Sequence, residues 1–376
     1  MTTMQFRTKD VLTSIEATLK EQNEKKKDFI APAQTITYAD KHLFLTGEKP
    51  SDVVAYQVTD FCHEQIAEKL DIPLKYFKKM MVKRPALFEE NINAWLREDG
   101  TSKYLLRCLK DDRTAIARAF LSNSYNCIDN YDVLYAALEA ISRMRVKVEI
   151  LKAEVTEKRM YLQVVCPEVE IQAEAFLKDY MRKGNNGVGY GIMSGFSLAN
   201  SEIGCGKFEV MSRAVAPICN NGLTIKDDSF SKIHLGERLA PGEIIWSERT
   251  RNKNYELIIS QVQDAVSTFL NKDYLGKMVE RVAATQNIKL EYPTDAVKNV
   301  CRELSIPEDH RKNIMNYFLN DGVHDASGIL HAVTRESQNM HADLQYDVEG
   351  AIIGHVEKIS KYDKPYSEKK FNAKDN

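Results

Sequence analysis

The chain is poor in the features that announce a function at once. Its 376 residues contain no apolar run near the roughly 20 residues that cross a bilayer. The first residues, MTTMQFRTKDVL, lack the apolar centre of a secretory signal. Seven cysteines without a CxxC pair argue against a disulfide framework and a zinc knuckle, so the expectation is a soluble protein of the reducing cytosol. Cys62, Cys108, Cys166 and Cys301 sit inside apolar patterns and read as small buried hydrophobes. Neither charge dominates: 52 basic against 54 acidic side chains leave a formal net of −2, so a polyanionic partner must meet a local patch. No GK[ST] phosphate loop, HExxH pair or nucleophile elbow is present. His310, His324, His331, His341 and His355 crowd the C-terminal third, and His324 and His331, seven apart, could share a helix face, but no HExxH or HxH stands there. The reading is therefore a protein with no catalytic residues, no metal and no cofactor.

What the chain does have is 43% hydrophobic residues, enough for a substantial core, and a clear alternation of patterns. A helix is expected from Thr8 to Phe29, running into a polar end, followed by the strand-like HLFLTG. Helices follow from Thr59 to Glu98, with Thr59 as a cap and Pro73 and Pro85 at helix starts. KYLLRCLK and TAIARAFLS flank DDR and predict a hairpin, and the segment after Asn130 carries a helical stripe with that residue as its cap. A second hairpin turns at TEK. The stretch 189–210 holds five glycines and invites a phosphate-loop reading, but another strand follows them where such a loop needs a helix. Strands with a tight connection fit better, the glycines marking bulges or close backbone approach. Beyond Ser247 the pattern is helical, with Ile258, Val262, Val266 and Phe269 as one stripe. The predicted class is α+β: a helical N-terminal module (1–101), a central antiparallel sheet domain with packed helices (102–246), a helical C-terminal region (247–357) and a mobile tail (358–376).

Two segments carry candidate chemistry. QIAEKLDIPLKYFKKMM fits a helix-turn-helix pattern within 60–84, with Phe77 and Met80 facing inward and Asp71 where a turn glycine is usual. Lys75, Lys78, Lys79, Lys83 and Arg84 then face outward, and no acid occurs between Asp71 and Glu89. Phosphate contact and a merely solvated helix are both open. The hairpin 103–118 is the second: Lys103, Arg107, Lys110, Arg113 and Arg118 outnumber two aspartates, and Tyr125 offers a ring to stack on a base.

Several segments together resemble a family of phage- and plasmid-encoded proteins of unknown function. They are QIAEKLDIPLKYFKKM, LLRCLKDDRTAIARAFLSNSYNCIDNYDVL, GFSLANSEIGCGKFEV with Asn200, Ser201 and Gly204, RAVAPICNNGLTI with Arg213, Cys219, Asn221 and Gly222, and KIHLGERL with His234. The order of elements is also similar to the core of single-strand annealing recombinases. The resemblances imply a DNA-binding protein of a mobile element in a bacterial cytoplasm, assembling as a homo-oligomer and binding single-stranded DNA without ATP. In that reading the hairpin cations neutralise phosphates, the α-helical lysines extend the track, and the signature residues shape turns beside it. A duplex-binding regulator and a protein-interaction factor stand as alternatives.

Overall fold

A computed structural model describes residues 4–45, 53–125, 127–174, 191–216, 221–225, 248–286 and 288–367. It is of the expected α+β class, and the described strands form two sheets. The chain starts with α1 (Met4–Lys25) and passes directly into β1 (Lys26–Pro32). The lysines read as a polar helix end thus belong to a strand at a sheet edge, where charge is tolerated because one side of the backbone meets solvent. A single 3-10 turn, Ala33–Thr35, leads to β2 (Ile36–Ala39), followed by β3 (His42–Leu45) and β4 (Val54–Val58). Helices α2 (Asp60–Lys69), α3 (Leu74–Lys83) and α4 (Pro85–Glu98) precede the hairpin β5 (Lys103–Lys110) and β6 (Ala115–Ser122).

These six strands form one sheet in the order β1-β5-β6-β4-β3-β2, all pairs antiparallel except β4 with β6. Residues on both sides of the 101/102 boundary therefore share a sheet. Its two edges, β1 and β2, are separated by three residues of chain, which reach about 11 Å at most. The sheet must curl until its edges approach. Its concave face is filled by Tyr38, Leu43, Tyr56, Leu106 and Phe120, closed by Ile66, Phe77, Phe88 and Ile92 of the three helices.

Helix α5 (Asn130–Met144) crosses to the second sheet, which contains β7 (Glu149–Val155), β8 (Met160–Gln172), β9 (Gly191–Asn200), β10 (Glu209–Ala216) and β11 (Asn221–Ile225) as an antiparallel meander. Residues 191–210 of the glycine-rich stretch form β9, the following turn and the start of β10, as the alternation indicates. A Cβ on Gly195 would stand 2.1 Å from the Val164 carbonyl oxygen of β8, so only glycine lets these backbones meet.

The C-terminal helices are α6 (Glu248–Phe269), α7 (Lys272–Ala283), α8 (Pro293–Glu303), α9 (Glu308–Asp321), α10 (Ala326–Ser337) and α11 (Ala342–Val356). Val262, Val266 and Phe269 of α6 are buried with α5 and the sheet in the main core. The other sheet face meets α11 through Tyr161, Ala199, Met211 and Tyr346. Residues 359–367, assigned to a mobile tail, are instead tied to α8. Asn299 donates to the carbonyls of Tyr362 and Lys364, and the Asp363 carboxylate accepts the amides of Glu291 and Tyr292. Cys62, Cys108, Cys166 and Cys301 are all buried, as their apolar surroundings imply.

Candidate nucleic-acid interface

Strand alternation places Arg107 on the convex face of the curled sheet, opposite Asp28 of β1. That face is not open. It is covered by residues 127–129 and by the turn between β9 and β10, which leaves Arg107 1% exposed. Its Nη2 lies 2.6 Å from Asp129 and 3.1 Å from Asp28, and its Nη1 donates to the Glu202 carbonyl at 2.8 Å. Burial works against the Arg107 cation, but the surrounding carboxylates outweigh it and hold its pKa above the ordinary value. The same pairing holds Asp129 below the usual carboxylate range against its own burial.

Arg118 meets the same turn for a reason the alternation misses. A bulge in β6 pairs Arg107 with Ala119 and Cys108 with Ala117, leaving Arg118 unpaired in the ladder. Its guanidinium bonds Glu202 at 2.9 Å, and the other Glu202 oxygen accepts the Asn130 amide. Two of the three hairpin arginines expected to neutralise phosphates, Arg107 and Arg118, are therefore spent inside the protein. Tyr125 is not a free platform either. It packs on the cluster of Leu105, Ala119, Leu121 and Ile203, its hydroxyl donates to the Ser201 carbonyl, and burial pushes it up to about 12. Lys103, Lys110 and Arg113 remain exposed. Lys103 and Lys110 stand at opposite ends of an eight-residue strand and on opposite faces, so they do not form one track.

The signature residues explain what joins the two sheets. Asn200 donates to the Ile128 carbonyl at 2.9 Å and to the Asn130 side chain at 2.8 Å, satisfying buried groups at the start of α5. Asn130 is thus an anchor at the first helical position, and Asp129 stands at the N-cap without a side-chain capping bond. Ser201 bonds the Lys158 carbonyl and the Cys205 amide. Gly204 has φ +78°, and a Cβ there would meet Leu121 at 2.8 Å. Gln65 of α2 completes the joint, donating to the Ile203 carbonyl and accepting from the Phe120 amide. Arg213, 1% exposed, pairs with the equally buried Glu349 of α11 at 2.6 Å. Glu349 also accepts bonds from Ser337, Gln338 and Gln345. Asn221 and Gly222 open β11 opposite Ala216 and Val215 and so belong to a strand where turns were expected. Cys219 and His234 lie outside the described residues.

The helical module remains. Thr59 caps α2 by accepting the Cys62 amide, and α2 is held to the sheet by the Thr59 amide on the Ala117 carbonyl. Asp71 adopts φ +53°, so it supplies the left-handed turn residue usually provided by glycine. Phe77 and Met80 are the buried residues of α3, and Phe77 meets Phe88 edge-on at 4.6 Å. Lys75, Lys78, Lys79, Lys83 and Arg84 are exposed. Lys78 reaches Glu64 at 2.7 Å, a contact screened by solvent. Beside these cations stand Leu74, Tyr76, Val82, Leu87 and Trp95, which are among the exposed large apolar side chains, Val82 at 76%.

The C-terminal histidines take separate structural places. His310 and Glu336 are 2.7 Å apart, His355 bonds the Ala351 carbonyl, and His324 stacks on Phe318. Among the described residues, no group of three His, Cys, Asp or Glu side chains could hold a metal ion. None of the helices described is long and apolar enough to cross a membrane. No family model, curated protein or solved structure matches the chain.

Proposed function

We propose that the chain is a DNA-binding protein of the mobile-element type that grips duplex DNA with the module α2–α4. The observation that carries this reading is the outer face of α3. Lys75, Lys79 and Lys83 are exposed there, with Arg84 exposed immediately after the last residue, on a helix whose inner face is locked by Phe77 and Met80. A rigid cationic helix beyond a tight turn is suited to the phosphates and major groove of a duplex. The ribbon β5–β6 drops out as the principal contact, because Arg107 and Arg118 each have an internal carboxylate. With them goes the main support for a single-strand annealing groove. The mobile-element setting rests on the resemblance of the signature segments alone.

The test is an anisotropy titration with fluorescent duplex and single-stranded oligonucleotides of equal length, each at two salt concentrations. Four phosphate contacts predict a log–log salt slope of roughly −3.6 on the duplex. The duplex should also be preferred when single-stranded competitor is added. A slope near zero sinks the reading.

A second reading has its own observation. Tyr76, Val82, Leu87 and Trp95 give α3 and α4 more exposed apolar surface than phosphate contact uses, and Tyr and Trp are frequent anchors at protein interfaces. A protein partner with an acidic rim would use both the apolar and the cationic side chains. It predicts salt-insensitive indifference to either oligonucleotide and stable capture of that partner, lost on Trp95→Ala.

A further inference from the structure

The curl of the six-stranded sheet leaves a mouth between the edge strand β1 and strands β3 and β4, a groove of about 410 Å3. Its walls are Phe29, Ile30, Ala31 and Pro32 of β1 on one side, and Leu45, Val54 and Tyr56 of β3 and β4 on the other. Phe29 and Tyr56 meet edge-on at 5.7 Å across its floor. Lys27 and Lys110 also line it, and the register explains why both stand at one end. Lys27 is paired opposite Cys108, and Lys110 lies two residues further along the same face of β5. Both lysines are exposed. The acid next to Lys110, Asp111, is already engaged by Lys25 at 2.9 Å and by the amides of Arg113 and Thr114.

We infer that this mouth is a binding site for a hydrocarbon chain carrying an anionic head, with Lys27 and Lys110 as the head-group contacts. The size of the groove is that of a small-molecule site, and the mouth of a curled or closed sheet is a common place for one. The chemistry of the walls narrows the class. Among the described lining residues the uncharged polar side chains are Thr35, whose hydroxyl donates to the Pro32 carbonyl, and Tyr56, whose ring packs edge-on against Phe29. Among the described lining residues there is no amide or carboxylate side chain to read a base edge or a sugar. Apolar walls favour a hydrocarbon body through removal of its surface from water. Two lysines whose stems lie along that wall favour a negative end. A carboxylate and a phosphate monoester share this chemistry. The site lies between β1 and strands β3 and β4 and does not include α3, so it stands or falls independently of DNA binding.

Isothermal titration of the full chain with dodecanoate below its micellar concentration tests the site. Dodecyl phosphate forms a second arm that separates a fatty-acid head from a phospholipid-type head, and dodecyltrimethylammonium is the cationic control. The expected result is one saturable dodecanoate site, weakened at least tenfold in K27E/K110E and abolished by Ala31→Trp, which fills the groove. The lysine pair is exposed, so its melting temperature should match the parent protein and serve as the fold control. Tighter binding of dodecyl phosphate than of dodecanoate would assign the head group and support the site. Absence of saturable binding by either anion, equal binding of the cationic amphiphile, or unchanged affinity in K27E/K110E would overturn it.

Discussion

Arg107 and Lys79 show how one side-chain charge means different things in two places. The Arg107 guanidinium is enclosed by Asp28, Asp129 and the Glu202 carbonyl, whereas Lys79 is exposed on α3. Removing one member of a buried pair strands the other's charge, which typically costs about 3–5 kcal/mol, whereas an exposed lysine changes stability by about 0.5 kcal/mol or less. Urea unfolding of Arg107→Met should therefore show a loss of several kcal/mol beside a near-silent Lys79→Ala. Equal midpoints would mean that the network carries no energy. Glycines divide in the same way. At Gly195 an added Cβ would collide with backbone 2.1 Å away, so Gly195→Ala should fail to give a stable fold. At Gly276 inside α7 nothing lies within 4 Å, so Gly276→Ala should stabilise by about 0.5–1 kcal/mol. A thermal melt of each variant separates these outcomes.

At the scale of elements, patterns that repeat within a few residues were legible and those set by distant neighbours were not. The two hairpins, the capped α2 and the inner face of α3 follow from alternation, Thr59 and the Phe77–Met80 spacing. The bulge at Arg118 leaves no local mark, since the residue carries the same charge on either face of β6. Strand β1 was hidden because KKD reads as a solvated helix end until β5 supplies its partner. Asp71 lies between these cases: its position announces a turn, and φ +53° shows that an aspartate accepts the conformation. Asp71→Val should cost about 1–2 kcal/mol by forcing a branched side chain into left-handed backbone, while Asp71→Gly should not. A denaturation series on the two variants decides whether that turn is a constraint, and a loss in both would point to the lost carboxylate instead.

For the whole molecule, the joint between the sheets depends on contacts 79, 22 and 95 residues apart in the chain, from Arg107 to Asp28, Asp129 and Glu202. No periodicity encodes those partners, which is why the ribbon arginines read as a surface. The candidate site was legible at α3, where charge and spacing are local, and not at the ribbon. The groove at the sheet mouth was hidden too, because it exists only once β1 and β4 approach. A pH profile reports on the packed core beneath α3. His63 is buried against Tyr38, and burial lowers its pKa from 6.5 to about 4. The unfolded chain therefore binds a proton that the folded chain refuses. Stability is fully present above pH 6.5 and falls between pH 6.5 and 4, by on the order of 3 kcal/mol. Asp129, depressed by Arg107, adds a separate loss only as the pH falls below its ordinary value of 3.8. Urea midpoints of the parent protein and His63→Gln should converge across the first window, and parallel curves would show that His63 does not titrate as stated.

The most direct measurement is the salt dependence of duplex binding by K75E/K79E/K83E/R84E, compared with K103E/K110E/R113E. The account predicts that reversing the α3 charges abolishes binding or flattens the slope to near zero, while the hairpin variant keeps most of the parental slope. Loss in the hairpin variant with full retention in the α3 variant would contradict it.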